Sequence, residues 1–116
     1  MYNSAMENWQ TQLKAEFDKA TQARIKQNEG QARVCARRAA GVAIREHLTR
    51  RGTTPPSMSA YDLLNLLKED PHLPADMKLI VDHLTVRVTE EFELPIQADL
   101  TAEARILCRW LLPDWR

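Results

Sequence analysis

Glycine is scarce in this chain of 116 residues, with only three, isolated from one another at Gly30, Gly41 and Gly52. Isolated glycines exclude a glycine-rich loop of the kind that cradles nucleotide phosphates. Segments in which apolar and polar residues alternate, as they do in half-buried β-strands, are also rare. Together, these two shortages predict an all-helical protein.

Cysteines and long apolar runs are also in short supply. The only two cysteines, Cys35 and Cys108, lie within apolar helical patterns and form no C-x-x-C pair. We therefore expect buried structural thiols rather than a disulfide, a zinc site or a nucleophile. The first ten residues hold no apolar signal segment, no stretch reaches a membrane-spanning length, and no metal-ligand spacing occurs. These features predict a cytoplasmic protein with no metal and no other cofactor.

An excess of charge of one sign is missing from the chain as a whole, because 16 basic residues balance 16 acidic ones. This balance argues against a general attraction to nucleic acid or to membranes. The distribution is uneven, however. Eight Arg and Lys against two Glu give residues 24–51 a net charge of +6, while three against nine carboxylates give residues 52–99 a net charge of −6. Such opposed halves predict either charge matching within the chain or a bipolar surface that pairs with a second copy.

The length of the chain fits one domain over residues 1–116, large enough for a core without disulfides or metal. A first helix is expected to begin at Ser4, with Glu7 completing a capping box. Asn28, Glu29 and Gly30 are expected to interrupt this helix, with Gly30 as its left-handed residue or as a kink. A second helix is predicted from about residue 31 to residue 51, ending at Gly52. Small and aliphatic residues surround so much of this second helix that we expect it to lie at the centre of a bundle.

Three shorter helices are predicted in the second half of the chain. Ser59 is expected to cap the first of them, and Pro74 fits the first turn of the next. The segment 90–97 is expected to be a loop, after which Asp99 caps a last helix that ends before Pro113. The predicted fold is thus an all-α, up-and-down bundle of about five helices, two long and then three shorter.

The central helix carries the most informative side chains. Arg38 and Arg45 are seven residues apart and therefore project from one side of that helix. Guanidinium groups bind phosphates through paired hydrogen bonds, so this pair is a candidate phosphate-binding site for a nucleotide or an RNA backbone. Arg87, in the predicted fourth helix, is a third candidate residue for the same site.

An internal role for these arginines is the alternative interpretation. They would then form ion pairs with acidic side chains of the same chain or of a second subunit, and the equal numbers of acidic and basic residues favour this alternative. The acidic residues considered as partners are Asp62, Asp82, Glu90 and Glu91.

The apolar surface of the central helix extends round to a second side, which suggests a further contact. Ile44 and Leu48 form this extension. Trp110 belongs to a C-terminal segment, W-L-L-P-D-W, that packs either on the bundle or in a dimer interface. We therefore predict a homodimer, with Ile44, Leu48 and Trp110 as candidate interface residues.

None of the three histidines is predicted to be catalytic. His47 lies near the end of the central helix among arginines, and a solvated histidine at a helix C-terminus is the preferred interpretation. His72, in a proline-flanked loop, and His83, beside Asp82, are predicted to lie at the surface. General acid–base catalysis needs titratable groups that converge in a pocket, and the sequence indicates no such group.

A family resemblance is carried by the order of the helical segments rather than by any single motif. The segments are A-R-V-C-A-R-R-A-A-G-V-A-I-R-E-H-L-T-R-R-G at 32–52, Y-D-L-L-N-L-L-K at 61–68, L-P-A-D-M-K at 73–78, F-E-L-P at 92–95 and D-L-T-A-E-A-R-I-L-C-R-W-L at 99–111. In this order they resemble the HEPN family of small prokaryotic helical proteins, over roughly residues 13–112. Ribonuclease members of that family carry an Arg followed by a His, with four to six residues between them. No histidine here has such an arginine, since Arg45 is too close to His47 and Arg38 too far from it.

The resemblance therefore implies a member that is not a nuclease. Such members dimerise and work beside a minimal nucleotidyltransferase, or bind nucleotides or nucleic acid. We accordingly predict a non-catalytic interaction or nucleotide-binding module, with a nucleotidyltransferase as partner in a toxin–antitoxin-like system. Two alternatives are a ribonuclease that has rebuilt its active site from Arg45, His47 or Arg87, and a purely structural homo-oligomer.

Overall fold

The computed structural model describes residues 4–86 and 98–115, with residues 4–8 by their backbone alone, and these ranges contain five α-helices. The helices are α1 (Ser4–Ile25), α2 (Glu29–Arg50), α3 (Ala60–Leu67), α4 (Ala75–Thr85) and α5 (Leu100–Leu111). The prediction of an all-α bundle of about five helices, two long and then three shorter, is confirmed. None of the helices in these two ranges is long and apolar enough to cross a membrane.

Helix α2 lies at the centre of the bundle, as predicted, and packs against each of the other four helices. Five alanines and one glycine are among its buried residues, and such small side chains let neighbouring helices approach closely. The closest approach is at Gly41, where an added Cβ would lie 2.9 Å from the Cβ of Ala60, the first residue of α3. The start of α3 is thereby held directly against the backbone of α2.

The turn between α1 and α2 differs from the prediction. Gln27, rather than Gly30, adopts the left-handed conformation, with a φ of 60°. Asn28 caps α2 by accepting a hydrogen bond from the backbone N–H of Gln31, with an N–O distance of 3.1 Å. Because this cap starts the helix at Glu29, Gly30 lies in the first turn of α2 and the reversal of the chain falls earlier.

The other predicted helix ends are close to those observed. Gly52 has a φ of 76° and ends α2 as predicted. Ser59 and Asp99 cap α3 and α5, each accepting a hydrogen bond from the backbone N–H three residues ahead, at 3.3 and 3.1 Å. Pro74 occupies the cap position of α4, one residue before the first turn in which it was predicted.

The apolar stripes of the helices meet in one core around α2. Both cysteines lie in it as free, buried thiols, as predicted. Each large aliphatic or aromatic side chain buried in this way stabilises the fold by about 1.5–3 kcal/mol relative to leaving it exposed. The largest fully buried side chains are those of Leu13, Ile44, Leu63, Leu64, Val81, Leu84, Leu107 and Leu112, with the two cysteines.

Several predictions concern residues or side chains outside the described parts of the chain. They are the capping box of Ser4 and Glu7, the candidate phosphate-binding residue Arg87, and the loop at 90–97, which includes the acidic residues Glu90 and Glu91.

Candidate phosphate-binding site

Arg38 and Arg45 line one cavity of about 470 Å³, here called the α1–α2 cavity. The predicted sharing of one face of α2 therefore brings these two guanidinium groups to a single concave site. Helix α1 forms the opposite wall, and the start of α3 with the residue before its cap forms the mouth. The residues that line the cavity are Gln12, Ala15, Glu16, Lys19, Arg38, Val42, Arg45, Met58 and Ala60.

The cavity is positively charged. Lys19 of α1 joins the two arginines, so three cationic side chains face one carboxylate, that of Glu16, and the net charge is +2. Among the residues that the structure describes, the guanidinium groups of Arg38 and Arg45 have no hydrogen-bond or ion-pair partner. Unpaired guanidinium groups in a concave site attract anions, because the low-dielectric walls concentrate their field.

Glu16 lines the cavity on the α1 side. Its Oε1 atom is buried and has no hydrogen-bond partner within the described part of the chain. A buried oxygen left unpaired costs about 1–3 kcal/mol, and more if it is charged. This oxygen is therefore enclosed by protein atoms and does not face the open space of the cavity.

The predicted internal partners of the two arginines are engaged elsewhere. Asp62 accepts a hydrogen bond from the hydroxyl of Ser57, at 3.0 Å. Asp82 lies 3.5 Å from Nζ of Lys68, as part of an exposed ion pair. Within the chain, neither Asp62 nor Asp82 forms an ion pair with Arg38 or Arg45, and pairing with these carboxylates of a second subunit stays a prediction.

Other arginines of α2, by contrast, serve the fold. Arg37 donates hydrogen bonds to the backbone carbonyls of Leu84 and Val86, at 2.7 and 2.9 Å, and so fastens the end of α4 to α2. Arg50 donates to both carboxylate oxygens of Asp114, and these hydrogen bonds lower the pKa of Asp114. Arg38 and Arg45 differ from Arg37 and Arg50 because, within the described part of the chain, they form no such hydrogen bonds.

His47 lies beneath α5, so the prediction of a solvated histidine is wrong. Its ring is buried, and Nδ1 is 3.3 Å from the carbonyl oxygen of Leu111 at the end of α5. Burial lowers the pKa of His47, which favours the neutral imidazole. The helix that covers it, α5, begins 53 positions later in the chain. The residues next to His47 in the sequence therefore do not indicate that it is buried.

The other two histidines lie on α4 and in the loop before it. His83 is half-buried and its Nδ1 is 2.8 Å from Oε1 of Glu103, so it is more enclosed than the predicted surface position. His72 is exposed, as predicted. Neither histidine lines the α1–α2 cavity, whose charged lining residues are Arg38, Arg45, Lys19 and Glu16.

The candidate interface residues do not form one exposed surface. Ile44 is 1% exposed and belongs to the core of the chain itself, so it presents no surface to a second subunit. Its prediction as an interface residue is wrong because its side chain is buried among core residues of its own chain. Leu48 and Trp110 are half-buried against the same core and keep part of their surface exposed.

Reasoning from the sequence missed the α1 side of the site. Gln12, Glu16 and Lys19 recur at intervals of four and three residues and so lie on one face of α1. This spacing was visible in the sequence, but it looks the same as an ordinary solvated face. Only the packing of α1 on α2 places that face opposite Arg38 and Arg45.

Within residues 4–86 and 98–115, no group of three or more His, Cys, Asp and Glu side chains is arranged to hold a metal ion. Comparison of the chain with protein-family models, with curated proteins and with solved structures finds no match. The function is therefore inferred from the geometry of the α1–α2 cavity.

Proposed function

We propose that this chain is a non-catalytic binding module that holds a phosphate-bearing ligand, a nucleotide, at Arg38 and Arg45. One observation carries the proposal: two guanidinium groups on one face of α2 share a cavity and have no partner among the described residues. A phosphate would supply acceptor oxygens to both guanidinium groups, through short charge-assisted hydrogen bonds.

The dimensions of the site favour a small ligand over a nucleic-acid strand. A cavity of about 470 Å³ lies within the range of pockets that enclose small molecules. A smaller cavity of about 280 Å³ shares Gln12, Val42, Arg45 and Met58 with it and extends the space along α2. A strand would instead call for a basic track over many phosphates, whereas the chain as a whole is electrically neutral.

The resemblance to the HEPN family adds the remaining parts of the proposal. We propose a homodimer that works beside a nucleotidyltransferase partner in a toxin–antitoxin-like system, in the cytoplasm. The order and lengths of the helices support this assignment, as do the partly exposed apolar side chains of Leu48 and Trp110. The two free, buried thiols are in keeping with a reducing compartment.

The alternative of a ribonuclease site rebuilt from Arg45 and His47 is not favoured by the positions of these two side chains. His47 is two residues from Arg45 in α2, and such neighbours face different directions on a helix. Arg45 lines the α1–α2 cavity, whereas the imidazole of His47 lies under α5. A general base has to reach the proton that it abstracts, and this one is enclosed on another side of the helix.

Calorimetric titration with a nucleoside monophosphate tests the proposal. Arg38→Glu and Arg45→Glu are each expected to weaken binding by roughly tenfold or more, because each removes a charge-assisted hydrogen bond and adds repulsion. Arg33→Glu is the matched control, since it makes the same change of charge on α2 at a position outside the α1–α2 cavity. Equal effects of Arg38→Glu and Arg33→Glu, or no binding to the unmodified chain, would contradict the proposal.

A further inference from the structure

Helices α4 and α5 lie side by side and run in opposite directions. Nδ1 of His83, near the end of α4, is 2.8 Å from Oε1 of Glu103, in the first turn of α5. Arg37 of α2 donates to a carbonyl oxygen at the end of α4. His47, later in α2, lies 3.3 Å from the carbonyl oxygen of Leu111 at the end of α5. The two helices therefore end at different positions along α2, and the end of α4 meets the start of α5.

An apolar surface lies on the outside of this helix pair. Leu79, one turn before His83 in α4, is 54% exposed. Ile106, three residues after Glu103 in α5, is 48% exposed. Because the helices run in opposite directions, these two side chains lie at the same level of the pair. Trp110, one further turn along α5, is half-buried, and these five residues are here called the α4–α5 face.

The two edges of the α4–α5 face carry opposite charges. Asp82 lies on the edge towards α3, where its Oδ1 is 3.5 Å from Nζ of Lys68. Arg109 lies on the opposite edge, with its guanidinium carbon 5.4 Å from the ring centre of Trp115. This edge faces α1, because Trp115 stacks on Phe17. Within the described ranges no carboxylate pairs with Arg109, so the basic edge has no acidic partner of its own.

The order of side chains across the face is self-complementary. At about 100° per residue, Leu79 lies between the acidic edge and His83 around α4. By the same spacing, Ile106 lies between Glu103 and the basic edge around α5. From α3 to α1 the order is thus acidic edge, apolar residue, polar pair, apolar residue, basic edge. A second copy, turned about a two-fold axis parallel to the helices, presents this order reversed, so apolar residues meet and each acidic edge meets a basic one.

We propose that the α4–α5 face is the surface through which two copies of this chain associate, with α4 of each copy on α5 of the other. Leu79 then packs against Ile106 of the partner subunit, and burial of this apolar surface drives the association. The oppositely charged edges set the orientation of the two copies. This inference rests on the homodimer of the proposed function, and it adds the surface that the dimer uses.

A second copy suits this face better than a partner of another kind. A partner with charge of one sign would be attracted to one edge and repelled by the other, whereas a second copy carries both signs in the matching order. The chain holds 16 basic and 16 acidic residues, so no net charge opposes the association of two copies. The face shares no residue with the α1–α2 cavity, so association and phosphate binding can be tested separately.

Sedimentation equilibrium of the full chain tests the apolar contact. Leu79→Glu and Ile106→Glu are each expected to raise the dissociation constant of the dimer roughly a hundredfold or more, because each places two charges in the buried contact. Ile25→Glu is the matched control, since it makes the same kind of change at an apolar residue of α1 that is 69% exposed. It should leave the dissociation constant unchanged. Circular dichroism of each variant checks that the helices are retained.

Charge reversal tests the orientation of the two copies. Asp82→Lys and Arg109→Glu should each raise the dissociation constant roughly tenfold, because each places like charges against one another at both pairs of edges. The double variant restores opposite charges between the edges and should recover most of the affinity. A double variant that associates as weakly as either single variant would overturn the proposed arrangement.

The remaining outcomes separate this inference from the proposed function. A dimer whose affinity neither Leu79→Glu nor Ile106→Glu changes overturns the role of the α4–α5 face and leaves the homodimer standing. An unmodified chain that stays monomeric overturns both, and leaves nucleotide binding by Arg38 and Arg45 standing. If the two apolar variants unfold, recovery of affinity in the charge-reversed double variant supports the inference, and its absence overturns it.

Discussion

Two hydrogen bonds join Arg50 of α2 to Asp114, three residues beyond the end of α5, with Nη1–Oδ1 at 2.7 Å and Nη2–Oδ2 at 2.9 Å. Trp115, the next residue, stacks on Phe17 of α1, and their ring centroids are 5.4 Å apart. The segment after α5 is therefore fastened to both long helices. This arrangement also holds α5 in place over His47.

Replacing Asp114 by alanine should weaken the fold only slightly. The side chains of the pair are 37% and 55% exposed, so water screens the interaction and its contribution to the free energy of unfolding is at most about 1 kcal/mol. Urea unfolding at low salt should show this loss, and the difference from the unmodified chain should shrink at about 1 M salt. A loss of several kcal/mol that salt leaves unchanged would mean that the segment after α5 contributes in another way.

Replacing Gly41 by alanine should destabilise the bundle and move the start of α3. The new Cβ would meet the Cβ of Ala60 at 2.9 Å and its Cα at 3.1 Å. Overpacking of this kind costs about 1–3 kcal/mol, partly offset by a gain of about 1 kcal/mol in helix propensity. We expect a net loss of up to about 2 kcal/mol in chemical unfolding.

Gly30→Ala is the matched control for that substitution. Its added Cβ would have its nearest described neighbour, Oδ1 of Asn28, at 3.7 Å, which is ordinary contact distance. Because Gly30 lies in the first turn of α2, the substitution should stabilise the chain by up to about 1 kcal/mol. A Gly41→Ala chain as stable as the Gly30→Ala chain would contradict the close approach of α3 to α2.

The stability of the fold should decrease on mild acidification because of His47. Burial lowers its pKa from 6.5, so the unfolded chain binds a proton at a higher pH than the folded chain does. The free energy of unfolding should therefore be fully retained above about pH 6.5, and should fall as the pH drops from there towards the lower pKa of the folded state. His47→Asn should flatten this part of the profile, while exposed His72→Asn should not. Identical profiles for the two variants would assign the pH dependence to other groups.

The local features of the fold could be predicted because neighbouring residues determine them. Ser59 and Asp99 cap helices through hydrogen bonds that span three residues, and Gly52 ends α2 through its own backbone freedom. Gly30 was assigned the wrong role because two local signals competed. The cap provided by Asn28 prevailed over the conformational freedom of the glycine.

The sequence predicts the α2 side of the candidate site but not its α1 side, because the α1 side depends on which faces of the two helices meet. The spacing of Arg38 and Arg45 on one helix predicts their shared face, and the structure brings them to one cavity. That Glu16 lies opposite them depends on the packing of α1 on α2, which no local pattern reports. Ile44 was misplaced for a related reason, since its burial depends on the helices that pack around α2.

The most direct test of the central claim is an NMR titration that follows the arginine side-chain Nε–Hε resonances, assigned by single Arg→Lys variants, as a nucleoside monophosphate is added. The resonances of Arg38 and Arg45 should shift together and saturate. Those of Arg37 and Arg50, whose hydrogen bonds already hold the fold together, should stay in place. Shifts confined to Arg37 and Arg50, or no saturable shift at Arg38 and Arg45, would contradict the claim that this pair binds phosphate.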